Sequence, residues 1–220
     1  GTMDVEMHSI LAEFGFPFKF PNEVTVESEK IKEADYKVEA KNRRDFRDVL
    51  TFTIDPHDAK DFDDALSYKE LNNGNIEVGI HIADVSHYVQ PNTELDKEAY
   101  SRGNSVYLVD RVIPMLPEIL SNKLCSLRPE ETKLTFSAVF ELDKEAKVVN
   151  EWFGKTIIYS DKRFAYEDAQ AIIEGKVQDE YFGDVILTMD KYAKALRKKR
   201  MSTGALEIES QEVRFNLDEQ

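Results

Sequence analysis

A chain of 220 residues with 41% hydrophobic content is long enough for one large domain, or one domain with a small appendage, and excludes a disordered tail. A single cysteine, Cys125, excludes an internal disulfide, and no run has the length or flanks of a membrane helix or signal peptide, so a cytoplasmic protein with no membrane contact is expected. The net charge of −14 argues against nucleic acid as a partner unless bound cations offset part of it.

Gly1-Thr2, with Met3, is expected to be a cloning remnant. Met7, Ile10, Leu11 and Phe14 follow helical spacing and predict a helix over 7–14, stopped by Gly15 and Pro17. A second helix is expected from Asn22, as its cap, to about Lys32. Residues 1–43 therefore read as a helical lead-in, and residues 44–220 as the main domain. Basic side chains cluster at Lys41, Arg43, Arg44 and Arg47, and again at Arg197–Arg200. Either cluster is equally a solvated surface.

Leu50, Phe52 and Ile54 share one face of a strand that runs into the sequence DPHDAKDFDD. Five aspartates fall within these ten positions: Asp55, Asp58, Asp61, Asp63 and Asp64. Aspartate is poor in helix and strand interiors, so the segment reads as a loop. It is also what a solvated acidic loop looks like. Apolar segments on both sides place it at the edge of a core, however, and Phe62 is an odd choice for a purely solvated loop. Carboxylates fixed at such a rim suit hard divalent cations.

Two strands follow, over 66–71 and 76–83, joined by the turn Asn72-Asn73-Gly74-Asn75. Ile76, Val78, Ile80 and Ile82 share a face. Thr93 caps a helix that Gly103 ends. Residues 105–109 predict a short strand with Tyr107 facing away from Val106 and Leu108. Residues 113–117 form an extended loop before a short helix at 118–123. Leu134, Phe136, Ala138, Phe140 and Leu142 alternate as a strand, which turns at Asp143-Lys144-Glu145 and returns over 148–160. Helices are expected over 166–174 and 181–200, the second burying Phe182, Val185, Ile186, Met189, Ala193 and Leu196. A last strand is expected within 205–217. Strands followed by helices give an α+β class.

No glycine sits inside the Asp55–Asp64 run, which rules out a calcium loop of the EF-hand kind. His81 and His87 flank Asp84, but a zinc site needs closer, convergent ligands, and histidines hydrogen-bonded at a sheet edge are the simpler reading. Tyr107 is either a half-buried strand tyrosine or a platform for a nucleic-acid base.

These residues together resemble the catalytic RNB domain of the ribonuclease II/ribonuclease R family, in a style closest to bacterial ribonuclease R. The resemblance rests on TIDPHDAKDFDDAL (53–66), HIADVSHYV (81–89), RGNSVYLVDRVIPMLPEILSNKLCSL (102–127) and TGALEIES (203–210), and runs from about Arg43 to Gln220. It implies an RNB-type core with a mixed, largely antiparallel sheet and flanking helices, truncated at the C-terminal side. The implied activity is magnesium-dependent 3′→5′ hydrolysis of single-stranded RNA to nucleoside 5′-monophosphates by a monomer whose full length carries cold-shock and S1 domains. The family's motif maps its metal-binding catalytic acids onto Asp55, Asp61, Asp63 and Asp64, and its base-stacking tyrosine onto Tyr107. The family's clamping phenylalanine falls on Ile208, a departure, and its catalytic arginine has no counterpart here. The fragment alone is then expected to be weak or inactive. The alternative is a catalytically silent RNB-like protein that binds RNA, which would be expected to have lost one of the four aspartates.

Overall fold

The computed structural model describes residues 2–108 and 111–206. The helical spacing near the start forms α1 (Thr2–Glu13), which buries Leu11. In α2 (Asn22–Lys30), Pro21 is the cap and Asn22 the first helical residue, a correction of one position. Proline's fixed φ suits a helix start, and its carbonyl accepts from the Thr25 amide. The short α3 (Tyr36–Glu39) is capped by Asp35, whose carboxylate accepts from the Lys37 and Val38 amides. Strands β1 (Arg44–Phe46), β2 (Thr51–Asp55), β3 (Asp64–Glu70) and β4 (Ile76–Ala83) follow. Then come α4 (Val85–Tyr88), α5 (Glu94–Arg102) and the small strands β5 (Val106–Tyr107) and β6 (Val112–Ile113). A five-residue π-helical turn (Leu120–Leu124) precedes β7 (Thr132–Leu142), β8 (Val148–Tyr159) and β9 (Lys162–Ala165). Helices α6 (Tyr166–Ile173) and α7 (Gly183–Ser202) close the described chain. Most of the expected last strand, including Ile208, lies outside the described residues; residues 205–206 are irregular.

These elements group into two units interleaved along the chain. One takes residues 2–33 together with 85–108 and 111–124, the other residues 34–84 and 125–206. The lead-in is thus split, because its last ten residues belong with the sheet. In the first unit α2 packs on α5, and the Glu27 carboxylate accepts from the Leu95 amide at the start of α5. Thr93 caps α5, and Gly103 leaves it at a φ of 74° that disfavours any side chain. The Arg102 guanidinium lies 3.8 Å from the Phe20 ring centre and donates to the Lys19 and Pro114 carbonyls.

The second unit is a seven-stranded sheet in the order β1-β8-β7-β4-β3-β2-β9. The β1/β8 and β2/β9 pairs are parallel and the other four antiparallel, the mixed but largely antiparallel sheet expected of an α+β fold. Helices α6 and α7 cover the β9–β2 end of one face. There Phe52, Phe164 and Phe182 meet edge to face, with Ala169, Ile172 and Ile186 around them. Along α7 Val185 and Met189 pack on this cluster and Leu196 is half-buried, but Ala193 is exposed. Tyr192 is half-buried one position earlier.

The same face is open across β4, β7 and β8. Ile80, Ile82, Phe136 and Phe153 are 37–56% exposed. The side chains that alternate with them are buried and polar. The His81 ring is held between Ser137 Oγ (2.6 Å from Nδ1) and Ser67 Oγ (2.8 Å from Nε2), and Ser137 continues to Thr156 and Thr135. Arg43, expected in a basic patch, is buried: it pairs with Asp84 at 2.8 Å and Glu39 at 2.9 Å and donates to the Thr135 and Thr156 carbonyls. Among the described residues no helix is long and apolar enough to cross a membrane.

Candidate active site: an acidic loop between two central strands

Strand β2 ends on Asp55 and β3 begins on Asp64, so residues 56–63 form a loop between adjacent strands. Pro56 cannot donate to a strand ladder, and its carbonyl accepts from the Ala59 amide to make a turn. Phe62 anchors the loop's far side, which accounts for an aromatic residue among aspartates. It is 9% exposed; its amide donates to Ser126 Oγ at 3.0 Å, and its carbonyl accepts from Leu127 at 2.8 Å. The Asp63 carbonyl accepts from the Ala83 amide.

The four implied acids sit at this junction. Asp55 is buried; Asp61 is half-buried; Asp63 and Asp64 are exposed. Burial pushes the Asp55 carboxyl above its ordinary range and the Asp64 and Asp63 charges push the same way, against the neighbouring Thr53 hydroxyl and, less strongly, Arg163. The Asp63 side chain opens to solvent, yet the surrounding protein strips part of its hydration. That loss raises its pKa, and the Asp61 and Asp64 charges add to the rise. Asp58 is exposed on the same loop.

Asp55 Oδ2 is buried with no hydrogen-bond partner in the protein. An orphaned carboxylate oxygen among like charges is what a bound cation would relieve, and oxygen donors match a hard divalent ion. In donor type and charge these residues fit such an ion. In side-chain placement the group is open: among the described residues no three acidic, histidine or cysteine side chains converge as a ligand set.

The other sequence candidates separate cleanly. His81 is at the buried centre of the sheet, not at its edge, and Asp84 beside it is ion-paired with Arg43, so neither offers a zinc ligand. Tyr107 is 68% exposed on β5, in the first unit. Sequence reasoning missed Arg163, which reaches the loop from β9; its loop contacts are 106 and 107 residues away, so no local pattern could announce it.

A sheet of this strand order has known counterparts. The RNB domain family matches residues 43–220, and the chain belongs to that family. Ribonuclease R of Thermotoga maritima is 45% identical over 207 residues, which cover 92% of this chain and 29% of that protein. DIS3-like exonuclease 2 of Schizosaccharomyces pombe is 49% identical over 195 residues, covering 82% of this chain and 21% of that protein. Identity alone therefore does not set bacterial ribonuclease R apart from its eukaryotic relatives. The structure of Mycoplasma genitalium RNase R in complex with ribose-methylated single-stranded RNA matches with a TM-score of 0.89 at 27% identity, over 98% of this chain and 34% of that one. The chain thus spans between about a fifth and about a third of these three proteins.

Proposed function

We propose that this chain carries the acidic half of an exoribonuclease site, in a cytoplasmic protein that removes nucleotides from the 3′ end of single-stranded RNA. The supporting observation is the gathering of Asp55, Asp61, Asp63 and Asp64 at one strand junction in a member of the RNB family. All four acids are present, which favours the enzyme over a silent RNA-binding relative.

In the reaction a water oxygen attacks phosphorus, the bond from phosphorus to the 3′ oxygen breaks, and that oxygen leaves with a proton. The products are a nucleoside 5′-monophosphate and a shortened RNA. Magnesium, held by the four carboxylates, would supply neutralisation of the phosphodiester and a more acidic attacking water. The protein's own share is to fix the carboxylates. Strand β2 sets Asp55, the Phe62 anchor sets the approach to Asp63, and the first pair of β3 sets Asp64. Tyr107 stacks on a base near the 3′ end, a contact of about 1–3 kcal/mol. Cold-shock and S1 domains elsewhere in the full-length protein would supply the positive charge that a chain of −14 lacks.

The test is Asp63→Asn in the full-length protein. Hydrolysis of a single-stranded RNA should fall by about 100- to 1,000-fold, in keeping with loss of an electrostatic contact to the reacting centre. RNA affinity should stay within a few-fold of wild type. Near-native turnover would remove Asp63 from the site.

A further inference from the structure

Strand β9 lies parallel to β2, with Thr53 opposite Arg163 and Asp55 opposite Ala165. Strand alternation puts Arg163 on the face of Thr53 and Asp55, away from Phe164 in the apolar cluster. The ladder ends at the Asp55–Ala165 pair, so the next two carbonyls of the loop have no strand to accept from. Arg163 meets both. Its Nη2 donates to the Pro56 carbonyl at 2.5 Å and to the His57 carbonyl at 2.9 Å. Its guanidinium carbon lies 5.6 Å from the centre of the Phe62 ring. One planar cation thus touches the first turn of the acidic loop and its hydrophobic anchor. Its Nε is buried and makes no hydrogen bond in the protein.

We infer that Arg163 is a positioning residue: it clamps the Pro56–Phe62 loop so that Asp55 before it, Asp61 within it, and Asp63 and Asp64 after it are presented together. The inference rests on the proposed reading of those aspartates as the reactive site. A guanidinium suits the task because the two N–H bonds of Nη2, held in the guanidinium plane, can serve one carbonyl each while the cation sits over an aromatic ring. Lysine offers a point charge and no plane. Arg163 touches no reacting atom in this account; it acts through the loop.

The experiment compares the wild-type chain with Arg163→Lys and Arg163→Ala. Amide hydrogen exchange is followed at Ala59 and Phe62 in the loop and at Ile80 and Val139 in the sheet, without metal. Both substitutions should speed exchange at Ala59 and Phe62 by at least about tenfold and leave the sheet amides within about twofold, as expected of a local opening. Millimolar guanidinium chloride should restore protection in Arg163→Ala and not in Arg163→Lys. Unchanged loop exchange in both variants, or equal acceleration across loop and sheet, would overturn the clamp. A parallel manganese titration, read by line broadening of the Asp61, Asp63 and Asp64 amides, separates this from the catalytic reading. Broadening should need about tenfold more manganese in the variants. A wild-type chain that shows loop protection through Arg163 but no broadening would contradict the metal reading and leave the clamp standing. In the full-length protein, Arg163→Lys should lower kcat with KM for RNA unchanged. A rise in KM alone would overturn a positioning role.

Discussion

His81 sits at the centre of the sheet with a hydroxyl on each ring nitrogen and the Phe46 ring 5.0 Å away in a T-shaped pair. Burial, with a smaller contribution from the Arg44 charge, pushes its pKa down from 6.5 to about 4. In the unfolded chain the imidazole takes up its proton near 6.5, but in the fold only near 4. Between those values the unfolded state alone binds that proton, so stability falls as pH drops through this window and levels off below it. The loss should be about 3 kcal/mol, seen in urea unfolding at stepped pH and absent from His81→Gln. A pH-independent difference between the two proteins would show that the ring has the same pKa folded and unfolded, and so is not held neutral by burial. Residues of this kind mark the limit of sequence reading. The aspartate run was legible because its five members are neighbours in the chain and their mutual repulsion is a local fact. Arg43 was not, because it is satisfied by carbonyls 92 and 113 residues away. A basic side chain looks the same in a sequence whether it faces water or a buried carboxylate.

Strands β4 and β7 show the same limit one level up. Alternation identified both, since period 2 is written in Ile76–Ile82 and Leu134–Leu142. It could not say which side is covered, because that depends on what packs there. The side closed over along the middle of these strands is the polar one, with His81, Ser67, Ser137 and Thr156, while Ile80, Ile82 and Phe136 opposite it stay open. Strands β1 and β9 escaped notice because three or four residues with charges among them carry too little pattern. Close packing on the polar side sets a prediction for β4. A Cβ added at Gly79 would sit 2.6 Å from His81 Nε2 and closer still to Ser67 Oγ, breaking the hydrogen bond between them. Gly79→Ala should therefore destabilise the chain by about 1–3 kcal/mol in urea unfolding, the usual cost of overpacking. No measurable loss would mean that the histidine and serine can part freely. In the first unit the β5–β6 hairpin carries Tyr107 out to solvent. Tyr107→Ala in the full-length protein should change the length of the final RNA product on a sequencing gel more than it changes the rate of cutting, since a stacking platform decides how short a strand is still held. Unchanged product lengths would count against that role.

The whole molecule carries 43 acidic against 29 basic residues, and the excess includes the loop between β2 and β3. Such a surface repels RNA unless cations intervene, so the sign of the site depends on what the carboxylates hold. The interleaving of two units along the chain was not visible in the sequence. Nothing in composition marks the points near residues 33, 84 and 124 where the chain passes from one to the other. The resemblance to RNB nucleases was visible, since long motifs in a fixed order survive where packing cannot be read. The central claim is that Asp55, Asp61, Asp63 and Asp64 hold the divalent cations that drive RNA hydrolysis. Anomalous scattering from crystals of the full-length protein, grown with manganese and a non-cleavable RNA, tests it directly. The account predicts manganese peaks bridging those carboxylates and the phosphate at the 3′ end of the RNA. Manganese bound elsewhere, in a protein that still cuts RNA with this loop bare, would contradict it.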